Sequence, residues 1–553
     1  MFFSFSSSSP SYNHLGYWVI LIPAIGGLIV GLMILFGSKD IRGHGIPEAM
    51  EQILTNNSKI NPVITYLKPI ASAFAIGSGG PFGAEGPIIA TGGALGSTLG
   101  QITKISHNER KILLAAGSAA GMAAIFGTPI ASIFLAIELL LFEFSPRSII
   151  PVALACVVGA AGHHIFFGTR PFFEMPELGI PGSEALFLYC ILGLIIGVIS
   201  VGVSKFVYVT EDWFKKIPIH YMWYPAIGGL VVGLIGYYAP KTLGVGYDNI
   251  TDLLLGKLPI GIILGLCVMK FLSWSIALGS GTAGGTLAPL FIIGGATGSL
   301  LGMGIMQIFP DSGVTLQMSA LLGMAAMFAG SSRAVLTSII FAVETTGQAN
   351  GLLPLLGACL TAYLISFILM KNTIMTEKIA RRGVDVPDSF EFDVLSNQKV
   401  GQFIKSDGFV ISEDSSVKDA RLWLFSHPIY KSNFFIVTTE DGKYVGILSS
   451  STLYGEHLDE NNSIKELVKR KNIYISKYDN LRTAVKMMAT ENIDVLPVIE
   501  FKEGAKHVVG VLGYQDIISS YKNELEENIA QAPTISIKQL HVLRKGMNLW
   551  QRK

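Results

Sequence analysis

Apolar residues in the first two thirds of the chain fall in long runs, at 17–36, 63–76, 86–103, 112–142, 148–168, 186–210, 222–238, 258–278, 288–308, 316–346 and 351–370. Several reach the roughly 20 residues that a helix needs to cross a bilayer. Others are short or interrupted by Gly or Pro, and broken helices are tolerated at membrane depth only when buried in protein or lining a polar path. Beyond about residue 388 the pattern changes. FFIVTT (434–439), YVGILSS (444–450), VLPVIE (495–500) and HVVGVLG (507–513) read as strands, and SVKDARLWLF (416–425) and LRTAVKMMATE (481–491) carry apolar residues at helical spacing. The pattern predicts an all-α polytopic membrane domain with broken helices over 17–388, followed by a soluble α/β module. A Ser-rich stub (1–16) precedes them and a polar tail (526–553) follows. The stub lacks the basic start of a cleavable signal. Lys371, Lys378, Arg381 and Arg382 flank the last apolar run, which favours a cytoplasmic soluble part.

The apolar pattern is written twice. IGSGGPFGAEGPIIATGGALGSTLG (76–100) and LGSGTAGGTLAPLFIIGGATGSLLG (278–302) agree at 12 of 25 positions at an offset of 202. IPAIGGLIVGLM (22–33) returns as YPAIGGLVVGLI (224–235), and GMAAIF (121–126) as GMAAMF (323–328). TPIASIFLAIE (128–138) is echoed by AVLTSIIFAVE (334–344) after four extra residues. The two copies, about 17–170 and 186–382, predict a transporter of two structural halves whose matched Gly-rich breaks hold the ion site.

Composition strengthens this picture. Half of the 553 residues are hydrophobic, 15% are charged and the mean hydropathy is +0.50, too apolar for an ordinary soluble protein of this length. A net charge of +1 and a pI near 7.7 give no reason to expect a nucleic-acid partner. Cys156, Cys190, Cys267 and Cys359 stand singly in apolar runs and read as packing residues. GSGTAG (279–284) fits a dinucleotide fingerprint, but lacks the strand and βαβ setting that gives that pattern meaning.

The chemistry is expected in the breaks GHGIPE (43–48), GAEGP (83–87) and GGTLAP (284–289), each of which opens an apolar segment. Glycine permits a sharp turn, and proline is favoured in a first helical turn. Each break aims free N–H groups and a positive helix end into the protein. Several such ends together bind an anion without needing a cation. For most of the 61 glycines close helix packing is explanation enough. Glu85 is the leading functional residue, because an ionisable group inside an apolar segment is a site candidate by default. The second copy carries Leu287 in its place. Glu48 reads as structural.

These three breaks resemble the selectivity-filter motifs of the CLC chloride channels and proton-coupled antiporters, usually written GSGIP, GREGP and GIFAP. The resemblance covers 17–382. It implies an inverted repeat, a homodimer in the cell membrane with one pore per subunit, and transport of chloride or a similar small anion such as fluoride, with protons as coupled partner in the antiporters and no required cofactor. It places the anion among Gly43, His44, Gly45, Ile46, Pro47, Gly83, Ala84, Gly86, Pro87, Gly285, Thr286, Leu287, Ala288 and Pro289, with Glu85 as the gating glutamate. His44 replaces the usual serine; it either donates to the anion or faces the aqueous vestibule. Met375 falls where a tyrosine hydroxyl usually stands, and Leu139 where many antiporters carry an inner proton-transfer glutamate. Channel and antiporter readings therefore both stay open.

The soluble part resembles a tandem pair of CBS domains, 398–457 and 464–525. GVLGYQDI (510–517) keeps Asp516, which in that family typically holds an adenosine ribose, and offers Gly510 and Gly513 beside it; GILSSSTL (446–453) has Thr452 instead of the acid. ATP or AMP is the ligand this implies, and a structural dimerising module is the alternative. Two readings from other classes are a membrane-tethered nucleotide sensor with an inactive pore, and a cation transporter bearing CBS domains, which would need acidic clusters in the membrane. The helix LFLYCILGLIIGVISVGVSKFVYVTEDWF (186–214) has no partner ahead of Pro23. The repeat predicts either a reading frame that starts late or a protein lacking that helix.

Overall fold

A computed structural model describes residues 10, 13, 15–384, 386, 395, 398–404, 410–427, 433–455, 458–502 and 504–519. The chain forms two units, Met1–Glu391 and Phe392–Lys553. The expected tail 526–553 and most of the stub lie outside the described residues, as do parts of the 398–457 segment. Ahead of Pro23 the described residues are 10, 13 and 15–22, the last five of which open α1; the rest of that stretch lies outside them.

The first unit is helical. Its helices are α1 (Trp18–Phe36), α2 (Ile46–Thr55), α3 (Ile64–Gly77), α4 (Glu85–Ile102), α5 (His107–Phe126), α6 (Pro129–Leu135), α7 (Pro146–Phe167), α8 (Ser183–Lys216), α9 (Tyr224–Tyr238), α10 (Tyr247–Leu254), α11 (Ile260–Gly265), α12 (Phe271–Gly279), α13 (Leu287–Ile308), α14 (Leu316–Ser332), α15 (Val335–Thr346), α16 (Leu352–Leu369) and α17 (Glu377–Ala380). Among the described residues, six helical stretches are long and apolar enough to cross a membrane: α1, α7, α8, Ile260–Gly279, α13 and Ala349–Leu369.

Two continuous apolar runs prove to be two helices each. Run 112–142 breaks where Gly127 turns left-handed (φ 66°) and Pro129 opens α6, a stop and start that glycine and proline make easy. Run 316–346 breaks at Arg333, also left-handed (φ 62°). No local rule predicts arginine there; its guanidinium is tied to the carbonyls of Ser366 and Met370 on the neighbouring segment. Tertiary contacts thus hold a backbone that the residue itself disfavours.

The halves meet through reciprocal contacts. In α1 and α9, a Cβ on Gly27 would strike the Pro225 carbonyl, and one on Gly229 would strike that of Pro23. Gly31 lies against Met222 in the same way, and Gly233 against Ile20. The partners run in opposite order along the two helices, so the copies are related by an approximate two-fold axis and are inverted. Near that axis Gly83 and its own repeat mate Gly285 exchange both backbone hydrogen bonds, at 3.3 and 2.9 Å.

A second reciprocity seals the helix starts. Glu138 accepts from Leu336 N (3.0 Å), Thr337 N (2.9 Å) and Thr337 Oγ1 (2.7 Å) at the start of α15. Its mate Glu344 accepts from Ile130 N (3.0 Å) and Ala131 N (2.8 Å) at the start of α6. Each carboxylate caps the other repeat's helix, satisfying first-turn amides that have no partner within the helix.

The second unit holds two three-stranded sheets of the same plan. β1 (Val410–Ser412) runs parallel to β2 (Phe434–Thr438), which pairs antiparallel with β3 (Tyr444–Ser449). β4 (Ile475–Ser476), β5 (Val495–Lys502) and β6 (Ala505–Gly513) repeat this order. Helices α18 (Val417–Ser426) and α19 (Leu481–Glu491) follow the first strand of each. Ile436, Val495 and Val511 join the two sheets in one small core.

Glu138→Ala and Glu344→Ala each remove about 1 kcal/mol, the cost of losing the cap on a helix start. Thermal unfolding of the detergent-solubilised protein should show lower midpoints for both. Midpoints equal to wild type would show that the caps contribute nothing.

Candidate functional site

Four helices of the first unit open at or beside the breaks. α2 starts after Gly45 (φ 97°), α4 at Glu85, α10 after Gly246 (φ 82°) and α13 at Leu287. Positive φ is easy only for glycine, which is why two of the starts follow one. Pro47, Pro87 and Pro289 stand in the first turns of α2, α4 and α13, where proline fits the helix and loses no needed bond.

The three motif breaks converge. Besides the Gly83–Gly285 pair, Gly43 bridges to Ala283. A Cβ on Gly45 would collide with the Gly86 carbonyl, and one on Gly86 with the His44 carbonyl. The backbones therefore touch, and no side chain fits between them. Ile46 and Pro47 are buried at the start of α2, Ala84 immediately precedes α4, and Thr286 immediately precedes α13. The Thr286 Oγ1 is buried without a hydrogen-bond partner. Ala288 lies in the first turn of α13, where its amide faces the Glu85 carboxylate from the opposite repeat.

Glu85 is wholly buried. Its Oε2 rests against Gly83, in the space a Cβ would need, and has no hydrogen-bond partner of ordinary geometry. Its Oε1 accepts from the Tyr247 hydroxyl at 2.7 Å. The carboxylate thus occupies the junction of two helix starts, one from each repeat, where the dipoles favour a negative charge.

Two buried cations flank the junction, and sequence reasoning passed over them. Lys68 on α3 donates to Ile41 O (2.6 Å) and Gly43 O (2.9 Å). Lys270, its mate at offset 202, donates to Thr242 O (2.9 Å) and Gly244 O (2.7 Å). Each pins the loop that launches a broken helix and leaves a positive charge beside it; the charge of Lys270 acts on Glu85. The repeat alignment contains this pair, but attention to glycines alone conceals it. The fourth break, GVGY (244–247), was missed for a related reason: it has no proline, and it matches GHGI (43–46) at an offset of 201 instead of 202.

A cavity of about 640 Å³ reaches the first break. Gly43, His44, Lys68, Lys378, Arg381 and Arg382 are among its walls. His44 lines it yet is only 4% exposed, and its Nδ1 has no partner. The residue thus borders the cavity while keeping one buried ring nitrogen unpartnered. Glu48 is structural, as expected. It accepts from Gly45 N (2.6 Å) and pairs with Lys378. Met375 is buried between α16 and α17, where Ile374 is held by Ser331 and Tyr208. It is not among the residues lining the cavity. In the second unit, Gly510 pairs with Val498 and Gly513 with Val495. Asp516 accepts from Gly513 N at 3.0 Å, so the acid orders the turn after β6.

Comparison with known proteins agrees with this geometry. The family model described as "Voltage gated chloride channel" matches residues 26–367, and the CBS domain model matches 464–523. The chain is 30% identical over 388 residues to the H(+)/Cl(−) exchange transporter ClcA of Vibrio parahaemolyticus, covering 67% of this chain and 82% of that protein. It is 27% identical to the chloride channel protein CLC-f of Arabidopsis thaliana, covering 92% and 74%. The fold is shared with a slow cyanobacterial Cl−/H+ antiporter (24% identity, TM-score 0.62, 66% of this chain and 87% of that one). It is also shared with a eukaryotic CLC transporter (19%, TM-score 0.56, 90% and 89%). With a family model spanning more than half of its length and an inverted repeat whose helix starts meet at a buried acid, the chain belongs to the voltage gated chloride channel family, with a CBS domain at its C-terminal end.

Proposed function

We propose that the membrane unit carries a small anion, chloride first, past the junction of the motif breaks, and that Glu85 is its gate. One observation carries the reading: a wholly buried carboxylate stands where two helix starts from opposite repeats meet. A chloride and a carboxylate both suit such a place, so they compete for it. Withdrawal of the carboxylate, aided by protonation, opens the way. The cations at the vestibule, Lys68, Arg381 and Arg382 among them, raise the local anion concentration. His44 Nδ1 offers a side-chain donor on that side, and the backbone of Gly43–Pro47, Gly83–Pro87 and Gly285–Pro289 supplies the rest. The working form is a homodimer in the cell membrane with the soluble unit in the cytoplasm.

A proton-uncoupled pathway is the second reading, and one observation favours it. Leu139, at the place of the inner acid in many antiporters, is buried and apolar, and the adjacent Glu138 is engaged as a helix cap. The 398–457 and 464–525 regions, with their paired sheets, act as a regulatory CBS pair, and Gly510, Gly513 and Asp516 mark its adenosine site.

Vesicles loaded with chloride and containing the purified protein should release it when the potential is clamped. Glu85→Ala should raise the efflux several-fold and abolish any accompanying proton movement. Efflux and proton movement both unchanged from wild type would remove Glu85 from the gate, and no efflux from either protein would leave a sensor with an inactive pore.

ATP or AMP at millimolar concentration should raise the unfolding midpoint of the full-length protein, and Asp516→Ala should lose that shift. Equal midpoints with and without nucleotide would make the second unit a purely structural module.

A further inference from the structure

The hydroxyl of Tyr247 was not expected at the gate, and its setting gives it a task there. Tyr247 is the first residue of α10. The loop before it is pinned by Lys270, which donates to the carbonyls of Thr242 and Gly244. Gly246, at φ 82°, then turns the chain so that α10 begins beside α4. The ring is clasped by three others, Phe126 (5.9 Å between centroids, 74°), Phe172 (5.3 Å, 87°) and Phe173 (6.1 Å, 61°). These edge-to-face contacts fix the ring and leave its polar tip one direction to point. That tip meets Glu85 Oε1 at 2.7 Å.

The repeat shows that this polar pair was added on one side only. Glu85 opens α4 in the first copy, and Leu287 opens α13 in the second. Tyr247 opens α10 in the second copy, and Ile46 opens α2 in the first. The places related to Glu85 and Tyr247 by the two-fold axis therefore hold two buried apolar residues. A scaffold contact would be served by either pair, whereas only the Glu–Tyr pair joins a donor to the gating acid.

We propose that Tyr247 is a positioning residue, a latch that holds the Glu85 carboxylate in the anion's place while the ring and its three phenylalanine neighbours close the route on that side. This rests on the gating role proposed for Glu85. A hydroxyl donating to a charged acceptor in a dry site is among the stronger single hydrogen bonds. The anion must displace the carboxylate against that bond, so the latch sets how readily the pathway opens.

Chloride efflux from vesicles tests this with Tyr247→Phe, which keeps the ring and its packing. In the wild-type background Tyr247→Phe should raise efflux roughly tenfold, the weight of one hydrogen bond to a charged group. In the Glu85→Ala background it should change nothing, because no carboxylate remains to be held. A merely structural tyrosine would alter both backgrounds alike, and that result overturns the latch. So does an unchanged wild-type efflux when Glu85→Ala alone is faster, a result that leaves the gate itself standing. Absence of efflux in every protein, Glu85→Ala included, overturns gate and latch together. A fluorotyrosine at position 247, a stronger donor of nearly the same shape, should slow efflux; faster efflux would contradict the proposal even if Tyr247→Phe fails to fold.

Discussion

Backbone touching backbone is the contact on which the membrane unit depends. Gly83 and Gly285 bond to each other near the axis relating the two copies, and Gly45 and Gly86 lie so close to neighbouring carbonyls that no Cβ would fit. Only this proximity brings the starts of α4 and α13 face to face. Their first-turn amides have no partners within their own helices, and in apolar surroundings such groups must find one. The arrangement therefore creates a demand for negative charge at one place, and Glu85 meets it from within the chain.

Around that junction the repeat has been used twice over. Matched lysines, Lys68 and Lys270, tie down the loops that lead into α2 and α10. Matched glutamates, Glu138 and Glu344, cap each other's helices across the axis. These are symmetric and structural. What distinguishes the copies is asymmetric and lies at the site: Glu85 against Leu287, Tyr247 against Ile46, His44 against no histidine in GVGY. Symmetry built the scaffold, and the departures from it lie where the helix starts meet.

The second unit follows the same economy at smaller scale. Its two sheets share one order and one mixture of parallel and antiparallel pairing. Ile436, Val495 and Val511 bury their side chains between them. The end of β6 is shaped by Asp516, which takes the amide of Gly513. That bond holds the turn in one conformation.

Much of this was written in the order of residues. Runs of apolar side chains, their repetition at 202 and the Gly–Pro breaks declared a two-copy membrane unit, because burial in lipid and helix initiation are local demands. Glu85 announced itself as a lone acid among apolar neighbours, and the alternating strands after 388 stood out from the helical part. Distance along the chain concealed the rest. Arg333 turns left-handed only because Ser366 and Met370 hold its guanidinium. Lys68, Lys270, Glu138 and Glu344 gain their partners from segments 25 to 214 residues away. Tyr247 reaches Glu85 across 162 residues. Sequence determined where the chain must turn and which groups it would bury, whereas the meeting of the two copies decided which buried group faces which, since a buried polar atom takes its partner from whatever the packing brings within reach.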